Sequence, residues 1–303
     1  MLAWILGALV FPVPVEGQRK PATRPAAYPS VTEAQAKAAV DRARERARLA
    51  ESALNVSLVE VQTDHFLIFT DWPAGDHAFL RRNLEAANTA VSRQFGVAPR
   101  ENVFVGRLPV YMFAGKEDFL KFAMQIDEAG IPESALGYYT ASSDGLGHMA
   151  MWQPDVAAEG GNLKAAQVKW ARTLTHEFTH AFVHRYRGTR AIPRWLNEGI
   201  AEVIAHAQFP PEAGNRRTLT RLFAAEGRDL SNLFDDEVMP GGEYYPVLQS
   251  MTQMLIARDR RRFVAMIDAI KGGAPAEEAL RANFGLDYAA LVTDWRRYAM
   301  SER

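Results

Sequence analysis

A long helical segment that carries two histidines one turn apart limits the folds open to this chain. Residues 169–186 read K-W-A-R-T-L-T-H-E-F-T-H-A-F-V-H-R-Y, and their apolar residues recur at helical spacing. An α-helix turns once in about 3.6 residues, so His176 and His180 lie one above the other on the same face. Both imidazoles can therefore reach one metal ion. Glu177, one position further along the helix than His176, points away from that ion.

The ligand types available to this chain are few, because it contains no cysteine. Any metal must then be held by histidine, aspartate and glutamate. Only seven histidines occur among 303 residues, and a pair of them at this spacing around a glutamate is not expected from that composition by chance. A catalytic zinc ion takes three protein ligands and keeps one position for water. We therefore expect one Zn²⁺ per chain and a third ligand on a later element.

A second helix is predicted to supply that third ligand. Residues 193–203 read P-R-W-L-N-E-G-I-A-E-V, where Pro193 marks a helix start and Glu198 falls in the first turns. Seventeen residues separate His180 from Glu198. This is enough for the first helix to end, turn near Gly188 and return antiparallel. Glu198 is therefore expected to face the two histidines.

Glu202 follows Glu198 by four residues and shares its helical face. Metal-bound histidines usually donate their second N–H to a carboxylate or a carbonyl. Glu202 is predicted to hold His176 in this way. The alternative for both glutamates is a solvated helix face, and the buried-looking pattern around them favours the metal site.

The H-E-F-T-H sequence followed by W-L-N-E-G-I-A-E resembles the gluzincin branch of zinc metallopeptidases, in particular exported peptidase MA-like proteins and, more distantly, the aminopeptidase N and thermolysin families. The likeness is strong over about residues 170–206 and weaker from residue 64 to residue 245. In that family two histidines and a later glutamate bind zinc, and the glutamate within the first motif is the catalytic base. The resemblance thus implies zinc ligands at His176, His180 and Glu198 and a base at Glu177.

Two differences from related sequence patterns limit the activities that this resemblance implies. Aminopeptidases of the group carry a G-x-M-E-N edge strand whose glutamate holds the amino end of the substrate, whereas residues 147–151 here read G-H-M-A-M. Aminopeptidase activity is therefore not expected. A metzincin is excluded, because Val183 and Tyr186 stand where that pattern needs glycine and histidine. Met149 and Met151 are interpreted as core residues of an edge strand, which would be able to pair with an extended peptide.

Tyr244 and Tyr245, which follow the loop D-D-E-V-M-P-G-G, have two interpretations. They either pack at the start of a helix or supply a hydrogen-bond donor for the oxyanion formed in amide hydrolysis. The similar exported family begins the corresponding helix with a tyrosine, which favours Tyr245 as the catalytic donor. His184 and His206 also have two interpretations. They are either ordinary histidines on a helix face, or they contact a ligand or the substrate.

These residues predict hydrolysis of peptide bonds by a zinc-activated water, with Glu177 as the general base. The expected substrate is a peptide or a protein. The alternatives are a zinc hydrolase of a non-protein amide and a non-catalytic, zinc-stabilised interaction protein, although a structural site has no need for Glu177. Nucleic-acid binding is not expected, because 35 Lys and Arg are balanced by 36 Asp and Glu.

The order of strand and helix patterns predicts an α+β fold. Residues 55–163 are expected to form an N-terminal lobe with a small mixed β-sheet and helices, and residues 164–303 a mainly helical lobe, with the zinc cleft between them. Strands are predicted within 56–71 and at 108–113, 136–141 and 147–152. Helices are predicted at 32–54, 76–96, 116–125, 164–187, 194–207, 216–225, 244–258, 260–271, 275–283 and 286–300.

The N-terminal segment indicates where in the cell the chain is directed. Residues 2–15 form an apolar run that is shorter than the roughly 20 residues needed to span a bilayer, and its length is typical of the hydrophobic part of a signal peptide. Residues 1–17 are therefore predicted to be a signal peptide cleaved after Gly17, or an N-terminal anchor that tethers the chain to a membrane; a buried strand or helix is the alternative. Residues 18–54 are expected to hold a proline-containing linker and a charged helix. Export to the periplasm or the medium is the expected localisation.

Overall fold

A computed structural model of the chain describes residues 28–142, 146–210, 214–238 and 241–301. These residues form an α+β fold with ten α-helices and one five-stranded mixed sheet, which confirms the predicted fold class. The predicted signal peptide or anchor, at residues 1–17, lies outside the described residues. Within the described ranges, no helix combines the length and the apolar character needed to cross a membrane.

The sheet consists of β1 (Val59–Gln62), β2 (Phe66–Thr70), β3 (Leu108–Phe113), β4 (Gly137–Ala141) and β5 (Gly147–Trp152). Its strand order is β1-β2-β3-β5-β4. The three central strands β2, β3 and β5 run parallel, and β1 and β4 pair antiparallel at the two sides. The register places Val110 opposite Met149, and Met149 opposite Tyr139.

The α-helices are α1 (Glu33–Leu54), α2 (His77–Phe95), α3 (Lys116–Gln125), α4 (Leu163–Arg185), α5 (Arg194–Gln208), α6 (Gly214–Ala225), α7 (Tyr245–Arg258), α8 (Arg260–Lys271), α9 (Ala276–Phe284) and α10 (Tyr288–Ser301). No predicted helix boundary differs from these by more than two residues. Local signals explain several of them. Thr32 and Gln35 form a reciprocal capping box at the start of α1, and Gly96 ends α2 with a φ of 68°.

Helices cover both faces of the sheet, so both sets of alternating side chains are buried. Val110 and Met149 belong to the core shared with α2 and α4, whereas Tyr111 and Ala150 belong to the core shared with α1 and α3. Strands buried on two faces need apolar residues at every position. This explains why β2 and β3 read as continuous apolar runs rather than as alternating ones.

The prediction that the strand around Met149 and Met151 forms an edge of the sheet is wrong. β5 lies between β3 and β4 and pairs with both. Its side chains from His148 to Trp152 are buried, whereas those of β4 are partly or fully exposed. Among the described strands, β4 therefore occupies the edge on this side, and its outer backbone groups face away from the sheet.

Candidate metal centre

The site is built on α4, which the core holds firmly against the sheet. Phe178 is fully buried, and its ring centroid lies 5.3 Å from that of Phe66 on β2. Leu174 and Phe182 are fully buried on the same side of the helix. This packing leaves the neighbouring face of α4, with His176 and His180, directed towards α5.

Three ligand atoms from α4 and α5 converge on one point. The Nε2 atoms of His176 and His180 are 3.1 Å apart, and Oε2 of Glu198 lies 3.2 Å and 3.5 Å from them. A tetrahedral ion with ligand bonds of about 2.0–2.1 Å separates its ligands by about 3.3 Å. The three observed separations bracket this value, so the group has the size of a metal site.

Two polar atoms of these residues are buried without a hydrogen-bond partner within the described structure, and a bound ion would explain one of them. Oε2 of Glu198 and Nδ1 of His180 are buried, and neither has a hydrogen-bond partner in the described part of the chain. Buried polar atoms are normally satisfied. An ion between the two histidines and Glu198 would satisfy the carboxylate oxygen, whereas Nδ1 of His180 lacks the acceptor that metal-bound histidines usually have.

A glycine next to Glu198 sets the position of α5. A Cβ at Gly199 would lie 2.1 Å from Oγ1 of Thr252 and 2.7 Å from the backbone oxygen of Leu248, both on α7. Only a glycine therefore allows α5 and α7 to approach this closely. The same approach brings Tyr245, the first residue of α7, close to the metal ligands.

Glu202 occupies the position predicted for it, behind His176. It is 8% exposed, and Oε1 lies 3.0 Å from Nδ1 of His176. Its other carboxylate oxygen pairs with Arg216 of α6. Arg216 could not be identified from sequence patterns, because nothing in the sequence shows that α6 returns to this point.

The charges of the site favour a cation. Burial lowers the pKa of His176, but the neighbouring carboxylates of Glu198 and Glu202 outweigh this effect and raise it to about 10. Burial raises the pKa of Glu198, yet the two histidines hold it far below its usual range. Two ionised carboxylates thus stabilise positive charge at the place where the ligand atoms meet.

Glu177 lies beside the ligand group and next to the edge strand. Burial raises the pKa of its carboxyl group, while the nearby histidines and the backbone N–H of Tyr139 on β4 oppose this rise. A carboxylate with a raised pKa is a stronger base than an exposed one. The structure therefore places a basic group between the candidate ligands and β4.

The two tyrosines at the start of α7 have different surroundings. The ring centroid of Tyr245 lies 6.3 Å from that of His176. Burial and the charges of Glu198 and Glu177 raise the pKa of its hydroxyl, which therefore stays protonated as a donor. Tyr244 instead packs edge-on against Phe223, with ring centroids 5.2 Å apart. Only Tyr245 of this pair is thus placed against the metal ligands.

His184 and His206 have other partners. Nδ1 of His184 lies 2.7 Å from the hydroxyl of Tyr139, and Nδ1 of His206 lies 2.8 Å from the backbone oxygen of Glu202. Neither belongs to the metal-ligand group found among the described residues.

A cavity of about 280 Å³ adjoins that group and is lined by Tyr139, His180, His184, Asn197 and Lys271, among others.

No protein-family model matches the chain, and no curated protein matches it in sequence. Any function inferred for this chain therefore rests on the chemistry of the side chains in the candidate metal centre.

Proposed function

We propose that this protein is a zinc-dependent metallopeptidase of the gluzincin type, which hydrolyses peptide bonds in a peptide or protein substrate. The observation that carries the proposal is the meeting of His176, His180 and Glu198 at one point, with the buried carboxyl group of Glu177 beside them. A site that served only to stabilise the fold would need the three ligands but not the additional base.

The donor set favours zinc, with one ion per chain. Two histidines and a glutamate are a common ligand set of catalytic zinc, whereas calcium and magnesium prefer oxygen ligands alone. His176, His180 and Glu198 would hold the ion. When bound, zinc supplies Lewis-acid chemistry, which polarises a carbonyl oxygen and lowers the pKa of water.

The protein groups around the ion would perform the remaining steps. Glu177 takes a proton from the attacking water and delivers it to the leaving amine. The hydroxyl of Tyr245 donates a hydrogen bond to the former carbonyl oxygen, where negative charge develops. The outer backbone groups of β4 pair with the extended substrate and position its scissile bond.

The cleft of this enzyme lies, in our proposal, between an N-terminal lobe and a helical lobe. β4 belongs to residues 55–163, and α5, α7 and all of α4 except Leu163 belong to residues 164–303. A peptide paired with β4 would thus pass between the two parts of the chain. The proximity of Tyr139 on β4 to Glu177 on α4 supports this arrangement.

Metal analysis combined with a peptide-library cleavage assay tests the proposal. We expect the purified protein to hold about one zinc ion per chain, His180→Ala to lose it, and His184→Ala, on the next turn of the same helix, to keep it. Glu177→Gln should retain zinc and lose hydrolysis. Full activity of Glu177→Gln would contradict the mechanism. Zinc binding without cleavage of any peptide, but with hydrolysis of small non-protein amides, would favour the alternative substrate class.

We further propose that the protein is exported, with residues 1–17 acting as a cleaved leader or as a membrane tether. The apolar run at residues 2–15 supports this proposal. Mass spectrometry of the protein from its native cell should find a first residue near position 18, or an intact chain in the membrane fraction. An intact and soluble cytoplasmic chain would contradict it.

A further inference from the structure

A second cavity, of about 570 Å³, lies between α1, the beginning of β3 and the end of β4. None of the three candidate metal ligands lines it, nor do Glu177 and Tyr245. It shares Tyr139 and Ala141 with the smaller cavity beside His180. Its volume falls within the range of about 300–1,000 Å³ that is typical of small-molecule sites.

The cavity contains a buried arginine without a counter-charge. Arg185, the last residue of α4, is 4% exposed, and its Nε donates to the backbone oxygen of Val103 at 3.1 Å. Its Nη2 is buried and has no hydrogen-bond partner among the described residues, and no described carboxylate forms an ion pair with it. A buried charge is costly unless it is paired, so an anion bound at this place would lower that cost.

A second buried basic side chain lies close to Arg185. Lys271 is 5% exposed and donates to the backbone oxygens of Val183 and His184, in the last turn of α4, and of Arg190, in the loop that follows. Burial and the charge of Arg185 lower the pKa of its ammonium group. The carbonyls at the helix end satisfy the donors of Lys271. Arg185 has only one such bond and remains uncompensated.

The acidic residues that line the cavity already have partners. Asp127 pairs with Arg46 and with Nε2 of His148, and Glu45 pairs with Arg48 on α1. The remaining lining is mixed: further arginines stand beside apolar side chains. The further charged residues are Arg42 and Arg107, and the apolar ones include Phe104, Leu108 and Pro109.

We propose that this cavity binds an organic anion, with the guanidinium of Arg185 as the group that pairs with its carboxylate or phosphate. Arginine binds both groups through two parallel hydrogen bonds. The apolar walls favour an anion with a hydrocarbon part over a bare inorganic ion. The site uses neither the candidate metal ligands nor Glu177 and Tyr245, although residues of β4 line both this cavity and the proposed peptide cleft.

Calorimetric titration with matched six-carbon probes tests the proposal on the full-length protein. Hexanoate and hexyl phosphate present the two anionic groups on the same chain, and hexanamide is the neutral counterpart. We expect at least one of the two anions to bind with one molecule per chain, and hexanamide to bind at least about tenfold more weakly. The ratio of the two anion affinities tells which group the site prefers. Binding should be unchanged after metal has been removed with a chelator, because the metal ligands do not line this cavity.

Arg185→Met should weaken anion binding at least about tenfold, and Arg185→Lys should weaken it less, because it keeps the charge but loses the planar pair of donors. Arg190→Met, at an exposed arginine that lines the other cavity, should leave it unchanged. Equal binding of the preferred anion to wild type and Arg185→Met, or binding of neither anion to wild type, would overturn the proposal. If both Arg185 variants fail to fold, a wild-type crystal soaked with the anion that binds provides the test. The proposal requires the ligand to lie in this cavity in contact with Arg185. Its absence there refutes the assignment.

Discussion

Oε1 of Glu202 lies 3.0 Å from Nδ1 of His176, whereas Nε2 of the same ring faces Glu198 and His180. The two ring nitrogens thus have separate functions. The carboxylate of Glu202 favours a proton on Nδ1, which leaves the lone pair of Nε2 free for a metal ion. The ion pair between Glu202 and Arg216 in turn holds the carboxylate in place.

We therefore expect Glu202→Ala to weaken zinc affinity by about 10–100-fold. Without the carboxylate, the ring of His176 is free to rotate, and its Nδ1 proton loses its acceptor. Competition with a chromophoric chelator measures this affinity. Glu202→Gln is the matched control, because its amide oxygen still accepts from Nδ1, and its loss should be smaller. If Glu202→Ala binds zinc as tightly as wild type, the contact does not orient His176.

The approach of the candidate metal ligands could be predicted from the sequence, because helix geometry relates two of them. His176 and His180 are four residues apart on one helix, and their approach requires no knowledge of the fold. Glu198 required one additional assumption, a return of the chain after α4. The apolar face of each helix and the capping residues at its ends gave most of the helix boundaries in the same local way.

The features that the sequence did not predict depend on pairing between distant segments. The position of β4 at the edge of the sheet is set by its pairing with β5 and by the chain crossing that places β5 beside β3. The contact of Arg216 with Glu202 depends on the return of α6. The burial of Arg185 and its bond to the backbone oxygen of Val103 depend on a segment that lies 82 residues earlier in the chain. No local pattern contains this information.

Gly199 is expected to be required for the stability of the site. Gly199→Ala would place a methyl group 2.1 Å from Oγ1 of Thr252 and 2.7 Å from the backbone oxygen of Leu248. Overpacking of this kind costs about 1–3 kcal/mol, which outweighs the helix propensity of about 1 kcal/mol that alanine gains over glycine. Urea unfolding should therefore show a net loss of stability.

Two further variants identify the cause of that loss. Gly75→Ala, at a position with no atom within 4 Å of the added Cβ, should change stability little. Gly199→Ala combined with Thr252→Ala should recover part of the loss, because it removes the nearer of the two clashes. Full stability of Gly199→Ala alone would mean that α5 and α7 can separate without cost.

Removal of the metal is expected to destabilise the protein. Glu198 contacts both candidate histidine ligands and Glu202 contacts His176, and a bound ion would compensate the charge of these carboxylates. A ligand that binds only the folded state at about 100 times its Kd stabilises that state by about 2.7 kcal/mol. Thermal unfolding with and without a chelator should thus show a lower Tm in the chelated sample. His180→Ala should show the same Tm with and without added zinc, and a zinc-dependent Tm in that variant would indicate a different binding site.

Tyr245 is expected to act mainly in the transition state. Amide hydrolysis places negative charge on the former carbonyl oxygen, and a positioned donor near the metal stabilises this charge. Tyr245 stands against His176 with its hydroxyl held in the protonated form by burial and by nearby carboxylates. Tyr245→Phe should lower kcat by about 100–1,000-fold. KM should change little, because substrate binding in the ground state does not use this bond.

Tyr244→Phe provides the matched control for that prediction. The substitution keeps the ring that packs against Phe223, so kcat should stay near the wild-type value. Zinc content and Tm should remain close to wild type in both variants, which separates loss of a donor from loss of the fold. Steady-state kinetics on one cleaved peptide measures both effects. If Tyr244→Phe loses activity while Tyr245→Phe keeps it, the donor is the neighbouring residue. If neither variant loses activity, the oxyanion is stabilised by another group, and His184, in the cavity beside His180, is the next residue to substitute.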